Sequence, residues 1–335
     1  MPVRIVVRLD PVRPEAVPPR HTGPAVNAAF LAAVRDADPG LAAVLHDSPR
    51  YKPFTLTPLL DDRDGAPSAP GAAVRFEVGL LVDGHTAAVL AALQTRTSYM
   101  VADTQYRTTG VSIITIASFE DLACQARPRA AWRFRLLTPV SFATARDEGP
   151  RRERPWPEPV RVFGNLAQRW NSFAGGVTLP DVVQTVTQRH LETAGGQVRI
   201  EEHLIEPSQG NRRAGYRHGS VGRVSYRLAD PGSAPEEGKL ALDALAAFAC
   251  FAGFGDRTAN GMGHVRLEPP PSRSFQDRPV SLRILKGRCM SRLAQRVDSV
   301  MSRRPASRIA PMARLRSAAI TRGPDRVWAV ELSSR

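Results

Sequence analysis

Hydrophobic and polar residues alternate at the start of the chain and then give way to helical spacing. Residues 3–9 alternate as in a β-strand, and residues 23–35 place apolar side chains on one face of a helix. The pattern further predicts a short helical turn over 38–45, strands over 54–60, 74–82 and 105–117, and a helix over 86–94. This order, βαββαβ with its first helix in two pieces, is typical of a ferredoxin-like domain.

The same order of elements recurs in the second half of the chain. Residues 132–136 alternate as a strand, and apolar residues recur at helical spacing over 160–173. Thr178 and Asp181 have the spacing of a capping box, which predicts the start of a second helix. The remaining elements are predicted strands over 198–205, 221–228 and 264–267 and a helix over 239–251.

These two series predict the fold class and the domain organisation. A length of 335 residues suits two domains with an appendage. We expect an α+β protein with two tandem ferredoxin-like domains, 1–118 and 119–270. Residues 271–335 form a basic tail of weak periodicity, in which only 282–300 has the pattern of an amphipathic helix.

Positive charge is concentrated in this tail. The chain has 46 Lys and Arg against 32 Asp and Glu, which gives a net charge of +14 and suggests a polyanionic partner. Residues 272–335 hold 15 basic and 4 acidic residues, so most of the net charge lies outside the two domains. The tail is therefore either a nucleic-acid-binding arm, which alone could account for binding, or an extension that does not fold.

Other classes of protein are excluded by what the sequence lacks. Its 3 cysteines are isolated, which argues against a disulfide scaffold and a cysteine zinc site. The N-terminus has no signal-peptide core, and no apolar run is long enough for a membrane span. The histidines show no metal-ligand spacing. We expect a cytoplasmic protein without metal or cofactor.

A glycine-rich segment over 253–263 is the sharpest local signal. It has the pattern glycine, apolar, glycine, then five residues, then the same triplet again. It follows a helix and precedes a strand, which is the reverse of the common nucleotide-binding loops. One alternative is an ordinary turn with a helix C-cap. The other is an RNA-backbone grip built from peptide N–H groups and Arg257, with Gly253, Gly255, Gly261 and Gly263.

This segment resembles the glycine-rich signature of the RAMP superfamily of CRISPR proteins, in particular the endoribonucleases of the Cas-six type that cut precursor CRISPR RNA. Three further blocks over 41–59, 137–142 and 162–171 are similar to that family in the same order. The first contains a leucine-histidine pair followed by Lys-Pro-Phe-Thr. The resemblance covers residues 3–268 and implies two ferredoxin-like domains.

The resemblance also implies a reaction. In this family the 2′-OH of a ribose attacks the adjacent phosphate without a metal, leaving a 2′,3′-cyclic phosphate and a 5′-OH. On the matching block, His46 is the expected general acid/base and Lys52 the group that stabilises the transition state. Some relatives have a catalytic tyrosine where this chain has Leu31, so His21 is a candidate third group. From spacing alone, His46 is also explained as a helix-end cap.

Arginine clusters predict where RNA binds. Arg151 and Arg152 lie in a loop before the second-domain helix, and Arg212 and Arg213 in a hairpin tip, although charged runs are often simply solvated. The expected partner is precursor CRISPR RNA, with a CRISPR effector complex as a further candidate and no membrane. The protein is expected to be a monomer or a homodimer. The alternative function is a non-catalytic RNA-binding subunit of the same superfamily.

Overall fold

Two antiparallel sheets, each packed against helices, form the architecture of this computed structural model. It describes residues 1–48, 51–67, 69–143, 152–206, 213–269, 320–322 and 328–330. The described residues all lie in one compact unit. The predicted helix over 282–300 lies outside the described residues. Among the described residues, we find no helix with the length and apolar character needed to cross a membrane.

The first sheet has the strand order β2-β3-β1-β5-β4, all antiparallel. Val3, Ile5 and Val7 alternate toward the helices and are fully buried, as the pattern predicted. The elements are β1 (Val3–Pro11), α1 (Gly23–Ala37), α2 (Pro39–Asp47), β2 (Phe54–Leu56), β3 (Val74–Leu80), a 3₁₀ turn (Asp83–His85), α3 (Thr86–Thr95), β4 (Ser98–Val101) and β5 (Thr104–Ile116).

The second sheet has the order β11-β6-β10-β9. Its core is rich in aromatic side chains, with Phe134 against Phe163, Tyr226 and Phe254. The elements are α4 (Phe119–Cys124), β6 (Ala131–Val140), β7 (Phe142–Ala143), β8 (Glu153–Arg154), α5 (Pro159–Phe173), α6 (Val182–Arg189), β9 (Leu191–Glu206), β10 (Gly215–Leu228), α7 (Glu236–Ala252), a 3₁₀ turn (Thr258–Asn260) and β11 (Val265–Glu268).

The tandem ferredoxin-like fold is therefore as predicted. In both sheets the first and third βαββαβ strands are central, with the second and fourth outside them. The first sheet adds β4 at its edge. The domain boundaries of 1–118 and 119–270 stay a prediction, because residues 1–270 lie in one compact unit. In the tail, the described residues form two paired strands, β12 (Ile320–Arg322) and β13 (Trp328–Val330).

Some local predictions were wrong. The strand predicted over 54–60 ends at Leu56, since Pro58 has no N–H for the ladder. The capping box at Thr178 does not form: Asp181 is itself the N-cap of α6, and its side chain makes no capping hydrogen bond. The strand β4 was missed because its turn to β5 uses Ala102 at a φ of 51°, which a non-glycine residue rarely adopts.

Candidate functional site

His46 and Lys52 come together at the end of α2. His46 lies in the last turn of that helix, and Asp38 starts the helix by accepting a hydrogen bond of 2.9 Å from the Leu41 N–H. The Lys52 ammonium donates to the backbone carbonyl of His46. The structure thus places the two residues singled out for proton transfer and charge stabilisation side by side.

The His46 imidazole faces solvent but is held on one side. Its Nδ1 lies 2.9 Å from Oδ1 of Asp47, and 73% of the His46 side chain is exposed. A carboxylate on one ring nitrogen fixes the tautomer and leaves the other nitrogen, Nε2, for a substrate. Sequence reasoning missed Asp47, because a carboxylate next to an exposed histidine has no distinguishing spacing.

A shallow groove between α1 and α2 runs beside His46, with a volume of about 390 Å³. Leu31 lies in it, so the position at which some relatives have a tyrosine faces the same groove with an apolar side chain. Arg35, one turn further along α1, adds a cation. The lining residues are Leu31, Arg35, Pro39, Ala42, Ala43, His46 and Asp47.

His21 belongs to a different cluster. Its ring meets that of His203 edge-on at 6.1 Å between centroids and that of Tyr216 at 6.2 Å. Burial lowers the pKa of both histidines. His21 precedes α1, and Leu31 beside His46 lies roughly 12 Å further along that helix at 1.5 Å per residue. The structure therefore directs His21 toward the second sheet and not toward the His46–Lys52 pair.

The four glycines of the segment over 253–263 are needed for backbone packing. All have positive φ, between 60° and 91°, and all are buried. A Cβ on Gly255 would collide with the Ser141 carbonyl, and one on Gly263 with the Phe254 carbonyl. The pattern of glycines thus reflects close contact between backbone segments of the protein itself.

The peptide N–H groups of this segment are mostly used within the protein. The N–H of Gly253 donates to Ala249 O at 2.8 Å, that of Gly255 to Asn165 Oδ1 at 3.0 Å, and that of Gly263 to Pro139 O at 2.9 Å. The expectation that these three N–H groups bind the RNA phosphates is therefore wrong. Arg257, which is exposed, is the side chain the segment offers to a ligand.

The blocks that carried the family resemblance meet at this segment. Thr55 of the first block donates to the Phe251 carbonyl at 2.9 Å. Thr138 of the second accepts from the His264 N–H at 2.9 Å. Arg169 of the third donates to Ala252 O and, at 2.6 Å, to Thr258 Oγ1. These residues thus build one junction around the glycines.

A buried ionic network joins the two sheets at the same junction. Arg4 of β1 lies 2.7 Å from Glu77 of β3 and also contacts the ring of His264. Burial would raise the pKa of Glu77, but the hydrogen bond to His264 and the charge of Arg4 outweigh it, so the pKa is strongly lowered. Burial and the charge of Arg4 lower the pKa of His264 to about 4. No local pattern in the sequence predicts this network.

Two of the four clustered arginines predicted to bind RNA can be placed. Arg152 and Arg213 are exposed, before β8 and before β10 respectively. Arg151 and Arg212 lie outside the described residues. The adjoining Arg217 pairs with Glu153 at 2.9 Å, so part of this positive charge is neutralised within the protein.

Proteins of known family and structure resemble this arrangement of two ferredoxin-like sheets and a glycine-rich segment. The model of the family "CRISPR-associated endoribonuclease Cas6" matches residues 134–265. A Cas6 of Thermus thermophilus, solved as a product complex, is 29% identical over 80% of this chain and 100% of its own, with a TM-score of 0.66. The resemblance to the Cas6 endoribonucleases of the RAMP superfamily is thereby confirmed.

More distant structures share the fold. A second Cas6 product complex is 22% identical with a TM-score of 0.61, and a RAMP protein binding different RNA substrates is 18% identical with a TM-score of 0.57. Each match covers 80% of this chain and 100% of the other. Comparison with curated protein sequences gave no match.

Proposed function

We propose that this protein is a metal-independent endoribonuclease that cleaves precursor CRISPR RNA within its repeats and so produces guide RNAs for antiviral defence. The observation that carries the proposal is the contact of Lys52 with His46 beside an open groove. The Cas6 family match and the 29% identical relative in a product complex support the substrate class.

The chemistry follows from what the two side chains offer. His46 takes the proton of the ribose 2′-OH, and the 2′ oxygen attacks the adjacent phosphorus. The bond from phosphorus to the 5′ oxygen breaks, and the protonated imidazole returns the proton to that oxygen. The products are a 2′,3′-cyclic phosphate and a 5′-OH. Lys52 swings from the His46 carbonyl to the phosphate and stabilises its developing negative charge.

Exposed arginines hold the RNA in this proposal. Arg257 projects from the glycine-rich segment, and Arg152 and Arg213 lie on the second-sheet side of the molecule, next in sequence to Arg151 and Arg212. Guanidinium groups pair with phosphates in a bidentate manner and stack on unpaired bases. The glycines contribute by fixing the backbone that carries Arg257. A CRISPR effector complex as recipient, and a monomeric or homodimeric state, remain predictions.

The substitution His46→Ala tests the proposal. We expect cleavage of a labelled repeat RNA to fall by about two orders of magnitude or more, with RNA affinity retained, because proton transfer is lost and binding groups are not. His85→Ala, in the 3₁₀ turn before α3, is the control and should cleave normally. Wild-type cleavage should withstand a chelator. Loss of cutting in chelator refutes the metal-free reaction, and cutting by His46→Ala refutes the assigned residue.

One observation favours a non-catalytic RNA-binding subunit as the second candidate. Leu31 places an apolar side chain in the groove where some relatives have a tyrosine. In that case wild-type protein binds repeat RNA and leaves it intact, and His46→Ala changes nothing. The labelled-repeat assay on wild-type protein separates the two functions directly.

A further inference from the structure

Arg169 on α5 carries a buried guanidinium at the junction, with a relative exposure of 5%. It donates to the Ala252 carbonyl and, at 2.6 Å, to Thr258 Oγ1, which lie at the start and in the middle of the glycine-rich turn. Its Nε has no hydrogen-bond partner among the described residues. Burial lowers the pKa of Arg169 to about 10, so the group remains charged at neutral pH.

Tyr51 packs against this cation. The Arg169 guanidinium carbon lies 5.8 Å from the centre of the Tyr51 ring, within the range of a cation–π contact. The Tyr51 hydroxyl donates to Gln168 Oε1 at 2.6 Å. Two successive residues of α5 therefore hold one tyrosine, one through its ring and the other through its hydroxyl.

Tyr51 directly precedes Lys52, and Lys52 reaches back to His46. We propose that Tyr51 is a positioning residue: docked on Arg169 and Gln168, it fixes the backbone from which the Lys52 ammonium reaches the reacting phosphate. The inference rests on the proposed function. Neither Tyr51 nor Arg169 touches the substrate in this scheme.

The physical reason lies in the lysine side chain. Its four-carbon stem is flexible, so the position of its ammonium is only as well defined as the backbone that carries it. The contacts run without interruption from Thr258 through Arg169 and Tyr51 to Lys52. Because a misplacement of about 1 Å costs on the order of a hundredfold in rate, this anchoring acts on the chemical step.

The test is single-turnover cleavage of repeat RNA at saturating protein. Tyr51→Leu removes ring and hydroxyl and should slow cleavage by roughly ten- to a hundredfold. Its affinity for an RNA with a 2′-deoxy sugar at the cut site should be unchanged. Tyr51→Phe keeps the ring over Arg169 and should restore most of the rate, and Gln168→Ala should match it. Trp156→Leu, at an exposed aromatic elsewhere, is the control.

A double-variant cycle separates positioning from a general structural role. If Tyr51 acts through Lys52, Tyr51→Leu has no further effect in a Lys52→Ala background. The inference is overturned if the two rate effects multiply in the double variant. It is also overturned if Tyr51→Leu loses as much RNA affinity as cleavage rate, or if Tyr51→Leu cleaves at the wild-type rate. If Lys52→Ala itself cleaves normally, the proposed function fails in its assignment of Lys52, and this outcome is distinct from the others.

Discussion

At the scale of single residues, the proposed reaction depends on how His46 is oriented. Its Nδ1 is held by the Asp47 carboxylate at 2.9 Å, and its backbone carbonyl accepts from Lys52. The pairing of His46 with Lys52 could be predicted from a matching sequence block. Asp47 could not, because a carboxylate next to a histidine is common in exposed helix ends and has no distinguishing spacing.

Asp47→Asn tests this orientation. We expect the single-turnover cleavage rate to fall by about tenfold, less than in His46→Ala, because the amide no longer selects one tautomer while the imidazole remains. Asp103→Asn, at an exposed position on the β4–β5 turn, is the matched control. An unchanged rate for Asp47→Asn would show that His46 is oriented by other contacts.

At the scale of elements, the glycine-rich segment is a packing device at the C-terminal end of α7. Sequence alone predicted its position and its need for positive φ. It could not show that the Ser141 and Pro139 carbonyls accept hydrogen bonds from this segment, or that Ser141 fills the space beside Gly255. Both residues lie more than a hundred positions earlier in the chain. The two long strands β9 and β10 were predicted too short for a related reason: exposed residues on both faces blur their alternation.

Gly263→Ala tests the packing role. The position has a φ of 72°, and a Cβ would meet the Phe254 carbonyl. We expect a loss of about 1–3 kcal/mol in the free energy of unfolding. Gly175→Ala, at a φ of 59° with open space beside it, measures the cost of backbone strain alone. Gly84→Ala is the control without backbone strain or a steric collision. Equal stability of the Gly263 and Gly175 variants in urea unfolding would argue against close packing.

At the scale of the whole molecule, the ionic network of Arg4, Glu77 and His264 ties the first sheet to the second. Arg4 and His264 are 260 residues apart in sequence, so no local pattern could have predicted their contact. The two domains have a nearly balanced net charge, so their overall charge does not indicate this buried network. The overall fold was predictable because its elements are local, and the tie between its halves was not.

Acid should weaken this tie in a defined range. The native pKa of His264 is lowered to about 4 from 6.5, so the unfolded chain binds the proton first as pH falls. Stability is therefore retained above pH 6.5 and decreases between pH 6.5 and 4, by on the order of 2–3 kcal/mol. The lowered pKa of Glu77 extends the loss to lower pH. Urea unfolding at several pH values measures this.

His264→Gln is the comparison for that measurement. It removes the titrating imidazole, so its stability should change less than that of the wild type between pH 6.5 and 4. Parallel curves for the two proteins would show that another group causes the acid sensitivity.

The resting contact of Lys52 has a consequence for how RNA is engaged. Its partner is a peptide carbonyl, a neutral dipole. An arriving phosphodiester therefore competes with an uncharged acceptor. On exchange the Lys52 ammonium gains a negatively charged partner, and no ion pair has to be broken. The lysine is held near its point of use and is released at little energetic cost.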